Sequence, residues 1–202
     1  ISPSLYWNNY EGGREPISYE IVSGTDEITY SSLSDDEDST DIEIGDVDGT
    51  EVITLGSDDD VFFGSDIDTI IMSHGGSDVI YGGAGNDTIY IIESSIDDVI
   101  SIDSGGGTNT ISVGSDVVGT IEISSAGEYD TIVFDGALDE FSMYVDENGA
   151  LVVVNDGLSV EIAGYEEQSS GVAYLNFGDD ANVMLDSSAP MEAGYTGMWM
   201  GT

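Results

Sequence analysis

The chain has 202 residues, 42 of them acidic against one Arg and no Lys, for a formal net charge of −41. That balance excludes the electrostatic route to nucleic acid and to anionic membrane surfaces, since both need Lys and Arg against phosphate. Cys is absent, which removes disulfides, thiolate metal sites and thiol catalysis, and no apolar run reaches the ~18 residues of a membrane span. Like charges at this density oppose compaction unless salt or bound cations screen them, so the favoured partner is a cation and the expected setting is saline. A disordered acidic chain is disfavoured, because 40% of the residues are hydrophobic and Ile and Val are abundant among them.

Residues 1–22 show no strand alternation, and Ile1 in place of Met is expected of a processed or excised product. From 23 to 135 one short pattern recurs: an acidic or amide residue, a small or β-branched one, then an apolar one. Weak copies, DEITY (26–30) and TDIEI (40–44), come first. Then follow EVITL (51–55), DVFFG (60–64), DTIIM (68–72), DVIYG (78–82), DTIYI (87–91), DVISI (98–102), NTISV (109–113), GTIEI (119–123) and DTIVF (130–134). Side chains alternate along a strand, so the third and fifth residues of each rung share a face. Those residues are Ile53 and Leu55, Phe62, Ile70 and Met72, Ile80, Ile89 and Ile91, Ile100 and Ile102, Ile111 and Val113, Ile121 and Ile123, and Ile132 and Phe134. They predict one continuous buried face. Each rung is too short to stand alone and ends in a Gly/Asp/Ser turn, so the rungs must stack. The fold expected is all-β, a parallel β-solenoid of nine or more half-turns with almost no helix.

Residues 136–185 predict a small antiparallel β cap over the end of the solenoid. FSMYVDENGALVVV (141–154) reads as a hairpin with a type I′ turn at Asn148-Gly149. A second turn at Asn155-Asp156-Gly157 leads into SVEIAG (159–164), and VAYLNF (172–177) follows. The tail 186–202 is irregular again. The segment ISYEIVSGTDEITY (17–30) also carries strand character, and one reading donates it to a neighbouring molecule.

The turns hold the chemical signal. In GGAGNDTIY (82–90) glycines let carbonyl oxygens turn toward a common centre and Asp87 adds a carboxylate. An all-oxygen ligand set on flexible backbone suits Ca²⁺ better than Mg²⁺, which demands a tight octahedron. This stretch resembles the RTX (repeats-in-toxin) nonapeptide G-G-x-G-x-D-x-U-x, with U a large apolar residue. Gly82, Gly83, Gly85, Asp87 and Ile89 match every specified position. SHGGSDVIY (73–81) keeps Gly76, Asp78 and Ile80; SGGGTNTIS (104–112) keeps Gly105, Gly107 and Ile111 but has Asn109 for the Asp; GSDIDTIIM (64–72) runs one residue short before Asp68. The resemblance covers residues 56–112 and implies a parallel β-roll, with Ca²⁺ between alternate turns. One row then joins the turns ending at Asp68, Asp87 and Asn109, the other those ending at Asp60, Asp78 and Asp98. The ligands it implies are those carboxylates with Asp66, and the carbonyls near Gly64, Gly76, Gly83 and Gly85. Asn109 is expected to weaken its site, leaving two or three good sites near residues 58–87.

Nothing else in the chain announces chemistry. His74 is the only histidine, and no nucleophile is placed beside it, so an enzyme is not expected. Alternating rungs put Thr69, Thr88, Thr110 and Thr131 in one outer row. Exposed Phe63, Ile71, Tyr81 and Tyr90, together with the termini, are expected to make a homo-oligomer or polymer. The function implied is a secreted calcium-binding structural protein that folds on Ca²⁺ outside the cell and assembles into a surface layer, filament or adhesin. The alternative is the carboxy-terminal folding and secretion module of a larger secreted enzyme or toxin.

Overall fold

The computed structural model describes residues 17–23, 26–32, 42–47, 50–125, 129–165, 172–178 and 182–185. Three strands come first: β1 (Ile17–Ser23), β2 (Asp26–Ser32) and β3 (Ile42–Val47). The rungs follow as β4 (Thr50–Leu55), β5 (Asp60–Phe63), β6 (Thr69–His74), β7 (Val79–Tyr81), β8 (Thr88–Glu93), β9 (Val99–Asp103), β10 (Thr110–Asp116), β11 (Gly119–Ser125) and β12 (Asp130–Phe134). After a 3₁₀ turn at Leu138–Glu140 come β13 (Ser142–Val145), β14 (Leu151–Asn155), β15 (Leu158–Ile162), β16 (Val172–Phe177) and β17 (Asn182–Met184). The described residues contain no α-helix, hence none long and apolar enough to cross a membrane.

Odd and even rungs separate into two sheets, as a solenoid requires. One has nine strands in the order β1-β2-β5-β7-β9-β11-β15-β14-β13, the other eight in the order β17-β16-β12-β10-β8-β6-β4-β3. Within the coils β5–β6, β7–β8, β9–β10 and β11–β12 each strand pairs in parallel with its counterpart one coil away. The sheets face each other across buried apolar columns. Ile53, Ile71, Ile89, Ile111, Ile132 and Leu175 lie level in one, and Phe62, Ile80, Ile102, Ile123 and Ile162 in the other. All are buried, each contributing about 1.5–3 kcal/mol of apolar transfer.

Four details differ from the sequence reading. In β6 the buried residues are Thr69, Ile71 and Ser73, not Ile70 and Met72. Gly64, not Asp68, sets the register there, since it stacks directly on the Gly82 carbonyl; moving the pairing by one residue turns every side chain to the other face. The outer row is therefore Ile70, Thr88, Thr110 and Thr131. Second, the weak copies are antiparallel strands rather than parallel rungs, with β2 on β5 and β3 on β4. Third, part of the segment 1–22 forms β1, which pairs with β2 of its own chain, and β2 in turn pairs with β5. Residues 1–16 and the tail 186–202 lie outside the described residues.

Fourth, the hairpin at 146–150 has no type I′ turn. Asp146 N–H bonds the Ala150 carbonyl (3.0 Å) and Gly149 N–H bonds the Asp146 carbonyl (3.2 Å). The tip is therefore three residues, with Gly149 alone at positive φ (78°). The Asp146 carboxylate directs it by accepting from the N–H groups of Ala150 (2.8 Å) and Asn148 (2.9 Å); these bonds, Ala150's first, hold its pKa below the ordinary range. The C-terminal end is closed as expected: β15 and β16 extend the parallel stacking, and β13, β14 and β17 add antiparallel strands outside them. Phe134, Phe141 and Phe177 fill that end, with ring centroids 5.1–5.2 Å apart.

Candidate metal centre

At each corner of a solenoid the backbone leaves the sheet ladder, and N–H groups lose their carbonyl partners. Here side-chain oxygens supply the acceptors, in two vertical columns. In the column leading into the eight-stranded sheet, Thr69, Asp87, Asn109 and Asp130 lie one above another. Asp87 Oδ1 accepts from Thr69 N–H (2.9 Å), Asn109 Oδ1 from Asp87 N–H (2.8 Å) and Asp130 Oδ1 from Asn109 N–H (2.8 Å). All four residues are buried. In the opposite column Asp78 Oδ1 accepts from Asp60 N–H (3.0 Å), and Asp60 Oδ2 from Gly56 N–H (3.0 Å). Above Asp78 this column turns apolar. The register Val79↔Ser101 sets Ile100 level with Asp78, and Ile121 and Val160 follow.

A second, outer ladder runs beside each column, one residue earlier in the chain. Asp59 Oδ1 accepts from Ser77 N–H (2.7 Å) and Ser77 Oγ from Val99 N–H (3.1 Å). On the other side Asp68 Oδ1 accepts from Asn86 N–H (2.7 Å) and Asn86 Oδ1 from Thr108 N–H (2.9 Å).

This geometry sorts the expected ligands. Asp60, Asp78, Asp87 and Asn109 are inner-column residues. Asp68 is not level with Asp87; it lies in the outer ladder against Asn86, and Thr69 holds the inner place. Asp98 is not level with Asp78 either, and its Oδ2 accepts from Ser95 N–H (2.7 Å) within its own turn. Asp66 is exposed at a turn tip. Gly76 and Gly85 pack against the carbonyls of Asp58 and Ile67 one coil below. Gly64 N–H bonds the Tyr81 carbonyl (2.6 Å), and the Gly83 carbonyl accepts from Gly106 N–H (2.7 Å). Asp130 was not among the expected ligands, although it heads DTIVF as Asp87 heads DTIYI; that shared first position was the available signal. The Ser73 hydroxyl donates to Asp78 Oδ2 (2.6 Å) across its own turn, and the Ser104 hydroxyl to Asp130 Oδ2 (2.8 Å), a contact made only once the coils stack.

Asp87 stands apart. It is 1% exposed, and its Oδ2 has no hydrogen-bond partner. A Cβ on Gly82 would lie 2.8 Å from that oxygen and 2.7 Å from the Ser104 carbonyl oxygen. The glycine thus leaves open a space that two acceptors border. Burial pushes the Asp87 carboxyl up to about 7; the Thr69 N–H opposes this, and Asp68 and Asp130 add to it. Burial likewise raises Asp78 to about 6, against the Ser73 hydroxyl and Asp60 N–H, with Asp59 and Asp98 adding to the rise.

A buried carboxylate oxygen that faces no donor, with a main-chain carbonyl beside it, fits a hard cation. Among the described residues no three His, Asp or Glu side chains converge to hold a metal by themselves. A cation beside Asp87 would therefore take its remaining ligands from main-chain carbonyls and water. No protein-family model matches the chain, and no curated protein matches it significantly.

The outward faces complete the picture. Phe63 and Tyr81 stack in parallel, with centroids 4.7 Å apart and planes within 4°, and both stay about 40% exposed (43% and 40%). Tyr90 is exposed on the other sheet, whereas Ile71, expected beside it, is fully buried by the register of β6.

Proposed function

We propose that the chain is a secreted, calcium-binding structural β-roll that folds on Ca²⁺ outside the cell and self-assembles into a surface layer, filament or adhesin. The observation that carries the calcium part is Asp87, a buried carboxylate with one oxygen facing no donor. A cation there offsets the desolvation of Asp87 and, by binding only the folded state, stabilises the coils by mass action. Asp87 would hold it with the carbonyls of the adjoining turns, Ser104 among them. Bound Ca²⁺ would supply charge neutralisation and a link between coils. Asp78 with Asp60 is the second place for an ion, on the opposite corner. The role is structural rather than catalytic, and the stacked Phe63 and Tyr81 support self-association.

Circular dichroism with Ca²⁺ or chelator at fixed ionic strength, with light scattering alongside, tests this. The expected result is a β signal that is reduced in chelator and restored by Ca²⁺, with scatter rising only with Ca²⁺. An unchanged β signal in chelator, or full folding in molar NaCl alone, refutes the calcium part. The antiparallel strands that close the C-terminal end favour a second reading, the carboxy-terminal folding module of a larger secreted enzyme or toxin. A Ca²⁺-folded chain that remains monomeric supports that reading over assembly.

A further inference from the structure

We infer that the side-chain amide of Asn109 stands where a bound cation would stand, and closes its turn without one. Asn109 is fully buried in the inner column, one coil above Asp87. Its Nδ2 faces three acceptors: the Gly106 carbonyl at 3.0 Å, the Ser104 carbonyl at 3.3 Å and Asp130 Oδ2 at 3.3 Å. The orientation of the amide is decided by its surroundings. Exchanging Oδ1 and Nδ2 would set an oxygen against three oxygens and an NH₂ against the Asp87 N–H.

Two main-chain carbonyls and a carboxylate converging on one centre form the ligand set of a hard cation. Here the centre is a nitrogen whose two protons are shared among them. Asp87, one coil below, makes the same Oδ1 bond to the N–H beneath it, but its second atom is an oxygen with no donor. Adjacent places in one column thus have opposite needs. Asn109 brings its own positive end; Asp87 requires one from outside.

The consequence is a divided solenoid. From β10 through the cap, the corner closes without an ion. Around β6 and β8 it closes only when a cation arrives. The ion-independent half is then a preformed edge onto which the earlier coils pair. The identity of the ion rests on the calcium reading above; the role of the amide does not.

The test uses the whole chain with Asn109→Asp and Asn109→Ser, melted in chelator and in Ca²⁺ at constant ionic strength. Bound ions are counted by native mass spectrometry. In chelator both variants should melt about 5 °C or more below wild type. Ca²⁺ should restore N109D, which should bind one ion more than wild type, and should not restore N109S beyond the wild-type gain. N109D as stable as wild type in chelator, or not restored by Ca²⁺, or without the additional ion, overturns the inference. Should wild type bind no Ca²⁺ while N109D binds one ion, the calcium reading fails and the amide inference stands. Should wild type bind Ca²⁺ and N109D gain nothing, only the amide inference fails. Hydrogen exchange of wild type in chelator gives an independent reading: amides of β10 and β12 should exchange more slowly than those of β6 and β8, and the reverse order also overturns it.

Discussion

The two corner columns begin alike and end differently. One stays polar for four coils, through Thr69, Asp87, Asn109 and Asp130. The other runs from Asp60 to Asp78 and then becomes Ile100, Ile121 and Val160. Turn length makes the difference. The pairs Asp60–Asp78 and Thr69–Asp87 are both 18 residues apart. The next coil spans 22, as from Asp87 to Asn109. On the polar side the extra residues leave a ladder residue at the corner. On the other side they leave Asp98 two residues short of the corner, and the core residue Ile100 takes its place. A corner N–H needs an acceptor only where no neighbouring strand supplies one. One residue past the corner the two columns bond alike: Ser101 N–H reaches the Asp78 carbonyl (2.8 Å) and Thr110 N–H the Asp87 carbonyl (2.9 Å).

The sharpest way to break this comparison is to remove one acid from each side. Asp130→Ala strips acceptors from the Asn109 N–H, the Asn109 amide and the Ser104 hydroxyl, all buried. The Asn109 amide keeps the Gly106 and Ser104 carbonyls, so losses of about 1–3 kcal/mol for each of the other two buried groups make this a cost of about 2 kcal/mol or more. Asp98→Ala, in a partly exposed turn, should cost under about 1 kcal/mol. Urea unfolding in Ca²⁺ reads both, and equal costs would abolish the distinction.

A second effect separates the columns by pH. In chelator, Asp87 and Asp78 have folded-state pKa values of about 7 and about 6, both above the ordinary 3.8. The folded state therefore holds protons that the unfolded state has released. The stability they contribute is fully present below about pH 4 and is lost as pH rises through 6 and then 7, by at most about 1.4 kcal/mol per pH unit for each proton. Urea midpoints between pH 4 and 8 should fall accordingly. Asp87→Asn should flatten the upper part of the fall and Asp78→Asn the lower part. Saturating Ca²⁺ should flatten both.

The smallest effect lies away from both columns. Phe63→Ser or Tyr81→Ser removes a ring pair worth about 0.5–1.5 kcal/mol beyond its buried area. Either change should lower light scattering at a given concentration while leaving the pH profile unchanged. Undiminished scattering would separate the aromatic stack from self-association.

Much of this was legible because the repeat is short and its apolar positions alternate. Ile53, Ile80, Ile89, Ile111 and Ile132 are buried as their places in the rungs predict. Asp87 stands in line with Asn109 and Asp78 with Asp60, as the resemblance to the nonapeptide repeat implied. The misplaced residues cluster where two registers compete. DTIIM offers either Asp68 or Thr69 as the corner residue, and the contact of Gly64 with the Gly82 carbonyl decides it. Asp98 likewise heads a well-formed rung, yet the longer loop before it shifts β9 by two places against β7. Alternation reports which residues share a face; it does not report which residues of two strands lie level.

The sequence alone determined the solenoid, its two-sheet core and the acidic character of its corners. Those follow from a period of two within strands and from glycine-rich turns between them, both of which are local. The partner of each side-chain oxygen was decided only in the tertiary structure. Asp87 and Asn109 head similar rungs, and one ends with a carboxylate oxygen that meets no donor while the other fills the gap with its own amide. That distinction depends on Gly82, Ser104 and Asp130, which join them only when the coils stack.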